Sequence, residues 1–299
     1  METGILLESG TNELEILEFK VEGKNYGINV AKIREILPYK KPTPIPNSHP
    51  FIEGVFMPRD FLISVVDLTN SLNLIKTDHK KSMLIVTYFN NVNIAFHVDS
   101  VVGIHRVTWA EIIKPDEVTD PTSNQIATGI VTIDENTIAI LDFERIIAEI
   151  NAETSLKVSD IEHLGLRARN SSPIMIVEDS QLLSELLHDC LVKAGYSNII
   201  SKTNGQEAWD YLKELKVSGK FKESVTCVIT DIEMPQMDGH RLTKLIKDDK
   251  EMSYLPVIIF SSIVNEDMRK KGELLGANGQ ISKPEIGSLV DIIDEFILK

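Results

Sequence analysis

Val225-Thr226-Cys227-Val228-Ile229-Thr230-Asp231 is a short run of apolar and β-branched residues that ends in a carboxylate. Such a run reads as a buried strand. Three more runs in the second half of the chain end in chemically useful groups. Pro173 to Val177 stops at Glu178-Asp179, Val257 to Ser261 ends on a hydroxyl, and Gly279 to Ser282 runs into Lys283. Between them lie helical patterns. Ser180 is placed to cap a helix whose Leu182, Leu183, Leu186, Leu187, Cys190 and Leu191 share a face, and Gly195 is placed to end it. Further helices are expected near Gln206 to Lys216, Gly239 to Lys247, Glu266 to Leu275 and Ile286 to Leu298. With one more strand at Asn198 to Ser201, five strands alternate with helices. That order specifies a parallel sheet covered on both faces, because right-handed crossovers place the helices there. Groups at the carboxyl ends of its strands converge on one crevice, where ligands of open α/β sheets bind.

The crevice would gather Glu178, Asp179 and Asp231. Carboxylates held close together resist simultaneous ionisation, so they hold a proton or recruit a cation. An all-oxygen set without histidine or thiolate points to magnesium, which keeps several waters and joins one or two carboxylates to a phosphate. Asp231 is equally far in sequence from Asp179 and from Lys283, as successive strand and helix layers require.

Four segments carry a resemblance to the receiver domain of two-component systems: Pro173-Ile-Met-Ile-Val-Glu178-Asp179-Ser180, Val228-Ile-Thr-Asp231-Ile-Glu-Met234-Pro235-Gln-Met237-Asp238-Gly239, Pro256-Val-Ile-Ile-Phe-Ser261-Ser262 and Ile281-Ser-Lys283-Pro284. The resemblance implies a flavodoxin-like five-stranded sheet in which Asp231 accepts a phosphoryl group from a kinase phosphohistidine. It implies that Glu178, Asp179, the Asp231 side chain and the Glu233 backbone carbonyl hold Mg2+. Lys283 would pair with phosphoryl oxygens and the Ser261 hydroxyl would follow the phosphate. The peptide between this lysine and its proline is cis in the family, which Lys283-Pro284 permits. Two departures stand out: Gln280 occupies the place of the family's aromatic switch residue, and Glu233 lies two residues beyond the acceptor.

The first half reads differently. Residues 12–150 are mostly β, with strands expected at Leu14 to Val21, Tyr26 to Val30, Phe61 to Val66, Met83 to Phe89, Val92 to Val98, Ile126 to Ile133 and Thr137 to Leu141. Turn chemistry at Gly23-Lys24-Asn25 joins the first two into a hairpin. Helical stretches are expected over Ala31 to Leu37, stopped by Pro38, over Asp67 to Leu74, and over Phe143 to Ile150. Many short strands with regular turns favour small barrels. The prolines of Lys40-Lys41-Pro42-Thr43-Pro44-Ile45-Pro46-Asn47 mark a loop. Between the halves, 151–171 reads as a polar linker with a helical turn at Ile161 to Leu166, followed by the second domain over 172–299.

Phe19-Lys-Val-Glu-Gly23-Lys-Asn-Tyr26-Gly27-Ile28-Asn-Val30, Ile33-Arg-Glu35-Ile36, Pro44-Ile-Pro46-Asn47, Ile52-Glu-Gly54-Val55, Arg59 and Val66-Asp67-Leu68 are similar to the CheW-type coupling domain of bacterial chemotaxis. The resemblance implies two five-stranded barrels sharing a groove for receptor-tip helices, with one barrel pairing a homologous barrel of the kinase CheA. It puts Ile33, Glu35, Gly54 and Arg59 among the partner-facing positions. Asp60 follows Arg59 where the family has glycine. From the residues alone, Arg59 also reads as an intradomain ion pair, Gly54 as a strand bend, Asp67 as a helix cap and Trp109 as core.

Composition narrows the class. The 299 residues carry a formal net charge of −14, which opposes nucleic acid as a partner. At 42% hydrophobic and 25% charged, with no apolar stretch of about 20 residues, the chain is not expected to enter a membrane. The amino-terminal residues lack a signal-peptide pattern, which makes the cytosol the expected location. Cys190 and Cys227 read as buried thiols, and the seven histidines as ordinary surface or half-buried ones without metal-ligand spacing.

A coupling domain followed by a receiver resembles the CheV-type adaptors. The resemblance implies an adaptor, not an enzyme, that joins cytoplasmic chemoreceptor tips to CheA in receptor arrays and is regulated at Asp231. Three alternatives stay open here. The receiver could act as a phosphate sink for CheA, or never carry phosphate at all. The chain could also be a magnesium-dependent aspartyl-phosphate phosphatase, although Asp231-Ile232-Glu233 has the longer acid where haloacid-dehalogenase-like enzymes have Asp-x-Asp.

Overall fold

The computed structural model describes residues 12–77, 82–90, 92–113, 126–151, 168–283 and 285–298. Most of the expected linker, its helical turn at Ile161 to Leu166, His79 and Pro284 lie outside them. The chain parts into two compact units, Leu14–Thr154 and Ser155–Lys299, the latter grouped with Met1–Glu13.

The first unit contains β1 (Glu13–Val21), β2 (Lys24–Asn29), β3 (Ile33–Pro38), β4 (Ile52–Phe56), β5 (Ile63–Asp67), α1 (Leu68–Ser71), β6 (Met83–Phe89), β7 (Val92–Val98), β8 (Ser100–Thr108), β9 (Ala127–Ile133), β10 (Asn136–Leu141) and α2 (Phe143–Ile150). They form two five-stranded sheets, ordered β8-β1-β2-β10-β9 and β3-β6-β7-β5-β4. Each sheet includes one parallel pair, β2 with β10 and β5 with β7. The first hairpin closes on Glu22 and Gly23, both with positive φ, the backbone that matches strand twist in a two-residue turn.

Alternation along the strands serves two cores. On β1, Leu14 and Ile16 enter a cluster with Val107, Trp109, Val131 and Ile138 inside the first sheet. Leu17, Phe19 and Val21 point the other way, to a larger cluster shared with Ile85, Phe96 and Phe143 between the two sheets. The second sheet has its own core around Ile63, Val65, Leu84, Val86 and Ala95.

The helix expected over Ala31 to Leu37 is instead a tight turn at Val30–Lys32 followed by β3. Asn29 Oδ1 accepts the Ala31 N–H at 2.9 Å and closes that turn. The register of β3 against β6 shifts between Ile33 and Glu35. The bulge absorbs one residue, so Ile33 and Ile36 face the same core despite a helix-like spacing. Two unexpected strands, β4 and β8, each hold a glycine that interrupts their apolar pattern, Gly54 and Gly103.

The second unit alternates β11 (Ile174–Val177), α3 (Gln181–Lys193), β12 (Ile199–Lys202), α4 (Gly205–Val217), a short α5 (Phe221–Ser224), β13 (Cys227–Thr230), α6 (Gly239–Asp248), β14 (Val257–Ser261), α7 (Glu266–Leu274), β15 (Gly279–Ser282) and α8 (Ile286–Ile297). The sheet order is β12-β11-β13-β14-β15 with every pairing parallel. Ile174 and Ile176 of β11 pack with α3 and α8, while Met175 and Val177 pack with α4 and α6. Ser180, Asn204, Asp238 and Asn265 each accept a backbone N–H in the first turn of the following helix. Both cysteines are buried outside any disulfide, and burial pushes the Cys227 thiol up to about 12, as expected of inert core thiols. No described helix is long and apolar enough to cross a membrane.

Candidate functional site

The carboxyl ends of β11, β13 and β15 bring four of the expected side chains together. Backbone pairing fixes them first: Glu178 N–H donates to Lys202 O and Asp231 N–H to Val177 O, each at 3.0 Å. The sheet ladder thus runs right up to the chemical groups. Carboxylate oxygens of Glu178, Asp179 and Asp231 all lie within 4.8 Å of one another. Lys283 Nζ donates to Glu178 Oε2 at 2.9 Å and to Asp231 Oδ2 at 3.0 Å. The Asp231 Oδ1 atom accepts the Ile232 N–H at 2.6 Å, and Glu178 Oε1 accepts the Ser180 N–H at 3.3 Å.

Glu178, Asp231 and Lys283 are all buried. Burial pushes the Glu178 carboxyl up to about 8, against the pull of Lys283 and with the help of the Asp231 and Asp179 charges. Three acids set against one ammonium leave the crevice short of positive charge. An all-oxygen set short of positive charge fits a hard divalent cation, and receiver domains generally bind Mg2+.

Gly239 makes the geometry possible. A Cβ there would stand 1.8 Å from the Asp231 carbonyl oxygen, so the first turn of α6 abuts the loop after Asp231 only because the residue is glycine. Ser261 is fully buried at the end of β14; its hydroxyl accepts the Ile263 N–H at 3.4 Å and its carbonyl accepts the Lys283 N–H at 3.0 Å. Glu233 is half-buried in the β13–α6 loop.

His240 departs from the reading of the histidines as surface or half-buried. It is 1% exposed on α6, its Nε2 has no hydrogen-bond partner among the described residues, and burial drives its pKa down to about 3. Nothing in its spacing signals this; only the packing of α6 does.

In the first unit, Arg59 Nη2 meets Glu35 Oε2 at 2.9 Å, so two expected partner-facing residues are paired with each other. Glu35 is on β3 and Arg59 follows β4, the two ends of the second sheet's strand order, which places those edges side by side as in a sheet curled into a barrel. Gly54 has φ 150, and a Cβ there would lie 2.3 Å from the Thr43 carbonyl, which belongs to the segment bridged to Val55. The close approach at Gly54 is therefore by the proline-containing loop of this same chain. Ile33 packs against the core between the sheets, Asp67 accepts the Asn70 N–H as the cap of α1, and Trp109 lies in the core of the first sheet. Lys76, Asp67, Glu53, His97 and Tyr39 form a polar chain beside α1, with Tyr39 stacked on His97 at 4.0 Å between ring centroids. The sequence reading missed this chain because it joins separate strands.

Residues 15–151 match the family described as CheW-like domain, and residues 174–294 match the response regulator receiver domain. Chemotaxis protein CheV3 of Helicobacter pylori is 28% identical over 302 residues, covering 96% of this chain and 96% of the relative. Chemotaxis protein CheV2 of the same organism is 30% identical over 309 residues, covering 96% and 95%. Chemotaxis protein CheW of Thermotoga maritima is 30% identical over 147 residues, which is 49% of this chain and 96% of that protein. A CheW-like β domain, a receiver with its acidic cluster intact, and likeness along nearly the whole chain to proteins of the same build place this chain in the CheV family of chemotaxis proteins.

Proposed function

We propose that this protein is a cytoplasmic adaptor that couples chemoreceptor tips to the histidine kinase CheA, and that phosphorylation of Asp231 regulates the coupling. The observation that carries the reading is the Lys283 ammonium held between Glu178 and Asp231 in a chain whose other half is a CheW-like domain. Residues Ile33, Glu35, Gly54 and Arg59 are the proposed region of partner contact, with Arg59 and Glu35 acting as a pair.

In the proposed transfer, a carboxylate oxygen of Asp231 attacks the phosphorus of a phosphohistidine. The new P–O bond forms as the P–N bond breaks, and the imidazole leaves with the bonding electrons. Such transfer depends on alignment and on neutralising charge at the equatorial oxygens. Lys283 is already within contact of Asp231 and supplies one neutralising charge. Glu178, Asp179, Asp231 and the Glu233 carbonyl would hold Mg2+, which when bound supplies the rest. The buried Ser261 hydroxyl, at the neighbouring strand end, accepts Ile263 N–H through a lone pair and so keeps its own proton to donate to a phosphoryl oxygen.

Receptor arrays reconstituted with CheA and either the wild-type chain or Asp231→Asn test this reading. Receptor-stimulated CheA activity that depends on the chain, and adaptation that differs between the two, supports it. Equal adaptation removes the regulatory part and leaves the scaffold; activity independent of the chain removes both.

A further inference from the structure

The loop from Asp231 to Asp238 joins β13 to α6 and carries Glu233. Its two ends are tied together, since Gly239 N–H donates to Ile232 O at 3.1 Å. Gly205 N–H, in the first turn of α4, donates to Met237 O at 3.1 Å, and a Cβ at Gly205 would stand 2.6 Å from that carbonyl, so glycine is what admits the approach. The Gln236 carbonyl and the Asp238 N–H, on either side of Met237, both go to one side chain. Asn12 Nδ2 donates to Gln236 O at 2.8 Å, and Asn12 Oδ1 accepts Asp238 N–H at 2.9 Å.

A primary amide carries a donor and an acceptor side by side. Asn12 uses them as a residue of a parallel strand uses its backbone, bonding to the two residues that flank the one opposite. Asn12 and Gln236 both have φ 66, in the left-handed region. Asparagine adopts that backbone at little cost; Gln236 does so less readily, and its carbonyl is one of the two groups that Asn12 secures. Asn12 belongs to the same compact unit as the receiver, yet it lies outside residues 174–294, which match the receiver family, and outside residues 15–151, which match the CheW-like family. Neither family's own segment supplies the contact. In sequence, Asn12 adjoins Glu13, the first residue of β1.

We propose that the Asn12 amide is a clasp that the joined chain adds to its receiver, and that the clasp positions the Glu233 carbonyl for the cation. The cation part rests on the function proposed above; the clasp itself does not. Asn12 is a positioning residue, since it acts through the loop and not on the cation. Glu233 lies three residues before Gln236, inside a loop closed at its ends and pinned beyond its middle. Such a loop leaves the Glu233 carbonyl few orientations. Without the amide, the strained backbone at Gln236 is free to relax, and part of the cation's binding free energy then goes into ordering the loop. By linkage, a bound cation tightens the clasp as much as the clasp favours the cation.

Amide hydrogen exchange of the full chain, read by NMR with and without Mg2+, and Mg2+ titration calorimetry test the two parts. Asn12→Gly keeps the left-handed backbone and removes the amide; Asn12→Ser keeps a neutral polar group too short to bridge both loop atoms. In each variant without Mg2+, the Asp238 amide is expected to exchange about tenfold faster than in wild type, as for a bond moved toward the open end of the stability range. The Asp231 amide, bonded to Val177 O, is expected to keep its wild-type rate. Both variants are expected to bind Mg2+ about fivefold more weakly, at the lower end of coupling between linked sites. In wild type, Mg2+ is expected to slow the Asp238 amide further. A purely structural contact would leave the Mg2+ affinity where it is. An Asp238 amide as slow in both variants as in wild type overturns the clasp. A faster amide with unchanged Mg2+ affinity keeps the clasp and overturns the positioning role. A wild-type chain that takes up no Mg2+ overturns the positioning role and counts against the function proposed above, while the exchange without metal still decides the clasp.

Discussion

The Lys283 ammonium stands 3.0 Å from Asp231 Oδ2 where the two side chains are 4% and 6% exposed. A charge pair this deep holds only if its remaining partners are in place, and Glu178 Oε2 at 2.9 Å and Ile232 N–H at 2.6 Å occupy those positions. The same ammonium that bridges the two buried acids is therefore in contact with the side chain expected to carry phosphate.

Lys283→Met keeps the length of the side chain and removes the charge. Transfer from phosphorylated CheA to Asp231 is expected to slow about a hundredfold, the scale seen when one donor to a developing charge is lost. Rapid-quench transfer kinetics give the number, and an unchanged rate would take Lys283 out of the chemistry.

Glu178 links cation binding to pH. Its carboxyl moves from 4.5 to about 8 on folding without metal. Between those values the folded chain keeps a proton that the unfolded chain has released. The stabilising effect is full below about 4.5 and is lost as pH rises through about 8. Mg2+ has to displace this proton, so below pH 8 its affinity is expected to rise with pH, with close to one proton released per ion near neutrality. Titration calorimetry at pH 7 in two buffers of different ionisation heat measures the release; a value near zero would contradict the assignment.

His240 has the opposite sign. Its pKa falls from 6.5 to about 3 on folding because its buried ring resists charging. Stability is full above the unfolded value and declines as pH falls from about 6.5 toward about 3, by about 2 kcal/mol between pH 7 and pH 5. Glu178 adds a trend of opposite sign to both proteins, so the check is the difference: on going from pH 7 to pH 5, His240→Leu should gain about 2 kcal/mol relative to wild type in urea unfolding of the receiver. A loss of the same size in both proteins would show that the proton goes elsewhere.

Arg59 is 70% exposed while Glu35 is mostly covered. An ion pair with so much water around it contributes at most about 1 kcal/mol to its own domain. Arg59→Ala is therefore expected to leave the thermal midpoint of the first unit nearly unchanged while weakening its capture by receptor and CheA assemblies. Equal losses of stability and capture would make the residue structural.

The receiver was the more legible half because each buried parallel strand is a short apolar run that ends in a polar group. Val257 to Ser261 and Gly279 to Ser282 were bounded to the residue, and Glu178, Asp179, Asp231 and Lys283 converge. The first half was harder, since one bulge turned the strand at Ile33–Pro38 into a helix-like pattern and glycines broke up β4 and β8. Contacts between distant segments left no local trace. The pairing of Arg59 with Glu35, the burial of His240 and the fit of Gln280 over Gly272 depend on packing that no spacing records. Gln280 could be noticed as a departure, yet only the backbone of α7 explains where its amide goes.

The most direct measurement is the intact mass of the full chain after incubation with phosphorylated CheA and Mg2+, beside Asp231→Asn. The wild-type chain is expected to gain a single phosphoryl group, lost on treatment with hydroxylamine as an acyl phosphate, and the variant to gain none. A wild-type chain that stays unmodified while the kinase remains phosphorylated, or a variant that gains the same mass, would contradict the account.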